Sequence, residues 1–65
     1  MKHEMVEFED VTVVRETDAA ILCDIDGDEV WIPKSQIHDD SEVYEMSTSG
    51  TLIIPEWLAV EKELV

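Results

Sequence analysis

A small, mainly β (α+β) fold is what the sequence predicts: about five short strands in a strongly bent antiparallel sheet, SH3-like or OB-like, with a short C-terminal helix. Three observations predict it. Apolar, β-branched runs of strand length, at residues 11–14 and 52–54, are bounded by turn residues. Residues 20–26 alternate, with Ile21, Cys23 and Ile25 set against Asp24 and Asp26, the period of a half-buried strand. Asp26-Gly27 supplies the positive-φ positions of a tight hairpin.

The elements follow in order. Residues 1–9 are expected to form an extra edge strand or to lie loosely. Residues 11–15 read as the first clear strand, Glu16-Thr17-Asp18 as a turn, and residues 20–26 as the second strand. After the Asp-Gly turn comes a third strand over residues 29–32, stopped by Pro33, which has no N–H to give a ladder. Residues 34–37 suit one turn of 3₁₀ helix or an irregular corner, and residues 38–41 a loop. A fourth strand is predicted over 42–46, a turn over 47–50 and a fifth strand over 51–54. Pro55 suits the first position of a helix, and Trp57, Leu58, Ala59, Val60 and Leu64 give that helix an apolar side.

With 65 residues the chain has room for one domain, residues 1–65. Its composition is lopsided: 17 Asp and Glu against four Lys and Arg, a formal net charge of −13. Disordered acidic segments are poor in aromatic and β-branched residues; this chain is 45% hydrophobic and carries two tryptophans, so it reads as folded. Like charges oppose compaction, so the charge points to a use, and the use it points to is a partner with a basic surface. Phosphates and anionic lipids repel such a chain, which argues against direct nucleic acid binding and against a membrane surface. A single cysteine excludes an internal disulfide and suits a reducing compartment, hence the cytoplasm. The opening residues lack the apolar stretch of a secretory signal, and no apolar run approaches the ~20 residues that span a bilayer.

The candidate contacts are carboxylates. Asp24 and Asp26 are expected on one strand face, with Asp28 and Glu29 just past the turn, and Asp39, Asp40 and Glu42 form a second group. Side chains at i and i+2 of a strand stand roughly 6.6 Å apart, on the scale of neighbouring phosphates along one nucleic acid strand. Further acids come from Glu7, Glu9, Asp10, Glu16, Asp18 and Glu45. A bland reading stands beside this: a charged face is usually a solvated face. The Asp24–Asp28 stretch fails as a calcium loop, because Gly27 falls fourth and Ser35 twelfth where the pattern needs glycine sixth and glutamate twelfth. His3, His38 and Cys23 lack metal-ligand spacing, and Cys23 is expected to pack beside Ile21 and Ile25. No serine sits in a nucleophile motif and no glycine-rich phosphate loop exists, so neither catalysis nor a cofactor is expected. The two tryptophans are expected in the core between sheet and helix, with an aromatic interface anchor as the alternative.

Glu16 to Leu22, then Gly27 through Trp31-Ile32-Pro33-Lys34-Ser35-Gln36-Ile37, then Ile54-Pro55-Glu56-Trp57-Leu58, resemble a family of short proteins from bacteriophages and mobile elements. The resemblance spans about residues 11–60, and the W-I-P-K-S-Q-I stretch is its most specific part. It carries no catalytic residues. What it implies is a habitat in which small acidic proteins resemble counter-defence factors, including anti-CRISPR proteins that mimic DNA. The expectation is therefore a monomeric inhibitor that blocks the DNA-binding surface of a CRISPR effector in the bacterial host cell. The rival expectation is a structural or adaptor β domain that uses exposed tryptophan or a sheet edge. Adaptation to high salt is a third.

Overall fold

The computed structural model describes residues 4–65. One antiparallel sheet holds four strands, β1 (Met5–Glu16), β2 (Ala20–Ile25), β3 (Asp28–Pro33) and β4 (Ser49–Pro55), in the order β3-β2-β1-β4. A 3₁₀ turn (Lys34–Gln36) follows β3, and helix α1 (Glu56–Glu61) follows β4. The mainly β class with a short terminal helix is as the sequence predicts; the strand count is four instead of about five.

β1 organises the sheet, because its first part pairs with β4 and its last part with β2. Its apolar residues change parity: Val6 and Phe8 are even, Val11 and Val13 odd. A regular strand would send these pairs to opposite faces. A bulge between Phe8 and Val11 inserts one extra residue, with Asp10 in the left-handed region at φ 60°, and all four side chains then pack into or against one core. A second bulge lies between Val13 and Arg15. Residues 5–9 are thus the start of β1, fused to the predicted 11–15 strand; residues 1–3 of the expected extra or loose segment lie outside the described residues.

The sheet is curled. Between Pro33 and His38, a segment of four residues that includes the 3₁₀ turn carries the chain from the end of β3 to the outer side of β4, where His38 N–H donates to the Ile53 carbonyl at 2.9 Å. A flat sheet would require roughly 19 Å, four strand spacings of ~4.8 Å. Such a segment, at about 2 Å per residue in its 3₁₀ part, reaches roughly 13 Å. The concave side holds the core of Val11, Val13, Ile21, Cys23, Ile25, Ile32, Val43, Leu52, Ile54, Leu58 and Ala59. No ladder joins β3 to β4 among the described residues, so the barrel stays partly open.

The predicted fourth strand over 42–46 does not form. Thr48 competes for its backbone: the hydroxyl accepts from Tyr44 N–H at 3.1 Å and donates to the Glu45 carbonyl at 2.6 Å, folding residues 44–48 into a turn. The segment still covers the outer edge of β4, through the His38 amide, through Glu42 N–H donating to the Thr51 carbonyl at 2.7 Å, and through side chains. Ser41 Oγ accepts from Ile53 N–H at 2.9 Å, and Glu42 Oε1 accepts from Thr51 N–H at 2.8 Å. Val43, fully buried, pins the segment to the core.

Two further expectations are corrected. The second strand ends at Ile25; Asp26 (φ 56°) and Gly27 (φ 91°) are the two central residues of a type I′ turn, so Asp26 lies off the alternating face. The tryptophans are not in the core, since Trp31 is 42% and Trp57 54% exposed. On β3 the alternation turns Val30 and Ile32 inward and Trp31 outward, and on α1 Leu58 and Ala59 already fill the contact with the sheet. Cys23 is fully buried with Ile21 and Ile25, as expected.

Candidate functional site

The β2–β3 hairpin projects beside the bulge of β1. Thr12 is the cross-strand partner of Asp24, so chain running back from Thr12 passes the tip of the hairpin. There Glu7, Glu9 and Asp10 from β1 join Asp24 and Asp26 around one open groove of about 580 Å³, and no basic side chain lines it. Asp28 follows the turn as the partner of Ile25, and Glu29 stands directly opposite Asp24. Like charges facing each other across a ladder destabilise it. The local turn offsets part of this, because Asp24 Oδ1 accepts from Gly27 N–H at 3.1 Å and helps hold the I′ geometry.

Four of the expected contact residues, Asp24, Asp26, Asp28 and Glu29, are therefore brought to one end of the sheet. Asp39, Asp40 and Glu42 are not; they lie along the outer side of β4, with β1 between them and the hairpin. Their groups are partly committed. Glu42 gives one oxygen to Thr51 N–H and packs so closely on Gly50 that a side chain there would meet its carboxylate. His38 Nδ1 accepts from Asp40 N–H at 3.0 Å, which requires that nitrogen to be unprotonated, so its 3.8 Å approach to the Asp40 carboxylate is not an ion pair in that state.

Glu7, Glu9 and Asp10, which the sequence places only among the further acids, belong with the hairpin acids. The signal for the first two was present: Val6-Glu7-Phe8-Glu9 alternates as cleanly as the second strand. Asp10 depends on the bulge, which the sequence does not announce.

A charge pair of opposite sign lies at the other end of β1. Glu16 accepts from Lys34 Nζ at 2.6 Å and from Met46 N–H at 3.1 Å, tying β1 to the 3₁₀ turn and to the 44–48 turn. These hydrogen bonds, Lys34 first and Met46 second, hold its carboxyl below the ordinary value of 4.5.

The convex face of the sheet carries a second feature. Leu22 and Trp31 are cross-strand partners there, and Arg15 of β1 pairs with Leu22 on the other side. Leu22 is buried yet stands apart from the main core. With Val14 and Met46 these residues line a groove of about 750 Å³, bordered by Glu29. The row Leu22–Trp31 is one alternation from the row Asp24–Glu29, so an aromatic surface and a carboxylate pair share one face.

Among the described residues no three His, Cys, Asp or Glu side chains gather in a way that could hold a metal ion, and no helix is long and apolar enough to cross a membrane; His3 lies outside those residues. Comparison of the chain with family models, curated proteins and solved structures gives no match.

Proposed function

We propose that the protein binds the basic, nucleic-acid-binding surface of another protein and occludes it, its carboxylates taking the place of phosphates. The observation that carries this reading is the groove in which two elements bring five carboxylates and no cation together. Basic channels bind phosphates through Coulomb attraction and counterion release, and a fixed carboxylate array draws on the same forces. The strands, the type I′ turn and the bulge hold the backbone of these groups in place, so little backbone ordering is required on binding. The resemblance to short phage proteins narrows the partner to a bacterial defence complex, with a CRISPR effector that recognises duplex DNA as the first to test.

The test is competition. Labelled duplex bound to a purified effector is titrated with the protein; displacement that weakens as salt rises is the expected outcome, because exposed charge pairs are screened. The double reversal Glu9→Lys with Asp28→Lys leaves the turn hydrogen bond of Asp24 intact and should cost tenfold or more in competing potency. An effector that binds the protein while keeping full DNA affinity would end the mimicry reading. A second reading, an adaptor that binds through aromatic surface, is favoured by the exposure of both tryptophans; a nearly flat salt response would select it.

A further inference from the structure

We infer that the convex groove around Trp31 is an arginine receptor: it takes a guanidinium group from the basic partner, stacked on the indole and bonded to the Glu29 carboxylate. The inference rests on the proposed reading that the partner is basic, and assigns to it a particular anchor.

Three observations lead there. Trp31 is substantially exposed although the chain has few aromatic residues to spare, and it shares the groove with its cross-strand partner Leu22, which is itself shielded outside the main core. A flat, supported indole is a surface for stacking. Glu29 borders the groove and faces Asp24 across the ladder, so each carboxylate lies beside another anion. A cation bonded to Glu29 would relieve that repulsion as well as gain its own attraction. Finally, the net charge of −13 attracts a cation and repels an anionic occupant.

Arginine fits better than lysine. Its planar guanidinium stacks on aromatic faces and offers a fork of donors to a carboxylate, whereas an ammonium is a strongly hydrated point charge. Glu16 is not available to it, being engaged by Lys34 and Met46. Arg15 at the groove opposes the incoming cation and sets a sign that can be tested.

The experiment uses the full chain carrying Trp57→Phe, which leaves Trp31 as the single tryptophan reporter. The probes are three peptides of equal length: arginine-rich, lysine-rich of equal charge, and neutral apolar. The expected result is that the arginine peptide changes Trp31 emission and binds more tightly than the lysine peptide by roughly two- to thirty-fold, the range of a cation–π contact. Read by calorimetry, because these variants keep no tryptophan reporter, Trp31→Ala should erase that preference while leaving lysine-peptide affinity little changed; Trp31→Phe, the milder change, should reduce it in part. Glu29→Gln should weaken arginine-peptide binding, and Arg15→Ala should strengthen it. Equal binding of both basic peptides with unchanged Trp31 emission overturns the receptor but leaves the basic-partner reading standing. Tightest binding of the apolar peptide overturns the receptor in favour of an adaptor, and absence of binding by either basic peptide at low salt defeats both readings.

Discussion

At the scale of single residues, Glu16 does more than any other acid in the chain. It is the joint between β1, the 3₁₀ turn and the 44–48 turn, and its lowered pKa expresses those contacts as a pH dependence. The sign follows from linkage. A carboxyl whose folded pKa lies below its unfolded value stabilises the fold above the unfolded value and loses that contribution as pH falls through the folded one. Glu16→Gln should therefore lower the unfolding midpoint at neutral pH. The gap to the parent protein should narrow below about pH 4.5 and close once the parent's Glu16 is protonated, as read by denaturant titration across pH. A gap that stays constant across that range would mean the carboxylate charge contributes nothing. Sequence gave no warning of this role. The sequence places Glu16 in a turn, whereas it is the last residue of β1, and its partners Lys34 and Met46 are far along the chain and meet it only once the sheet curls.

At the scale of elements, local chemistry explains what could and could not be read. The hairpin was legible because alternation and Asp-Gly both act within a few residues. The 3₁₀ turn was legible because Pro33 ends a strand. The 42–46 segment misled because Val43 and Tyr44 have strand propensity, while the outcome was decided by a hydroxyl, Thr48, that captures the Tyr44 amide. Helix α1 shows a related compromise. It ends in a Schellman motif, with Glu63 N–H donating to the Val60 carbonyl and Leu64 N–H to the Ala59 carbonyl, and Glu63 adopts φ 61°. Glycine is the residue suited to that conformation, since a side chain there costs roughly 1–2 kcal/mol. Glu63→Gly is expected to raise stability by about 1 kcal/mol in thermal or denaturant unfolding; destabilisation would show that the glutamate side chain has a compensating contact.

At the scale of the whole molecule, charge and core are in tension. Among the described residues, twelve buried apolar side chains hold together a chain that repels itself. Screening should relieve the repulsion, so stability should rise with added salt even as binding to the proposed basic partner falls, two opposite responses from one charge distribution. Composition foretold the sign of that field. Its sorting, with the acid-only groove at one end of β1 and the Glu16–Lys34 pair at the other, depends on strand order and on two bulges, and neither is written in residue type. The buried thiol turns this into a clock. Cys23 sits at the middle of β2, shielded on all sides, and burial pushes its pKa up to about 11. An alkylating reagent meets a reactive sulfur only when the sheet opens, so the labelling rate at fixed pH counts opening events without any dye or tag. For a stability of ~5 kcal/mol the native rate should be several thousandfold below that of the unfolded chain, and it should slow further as salt is added. A labelling rate indifferent to salt would mean that self-repulsion does not govern how often this protein opens.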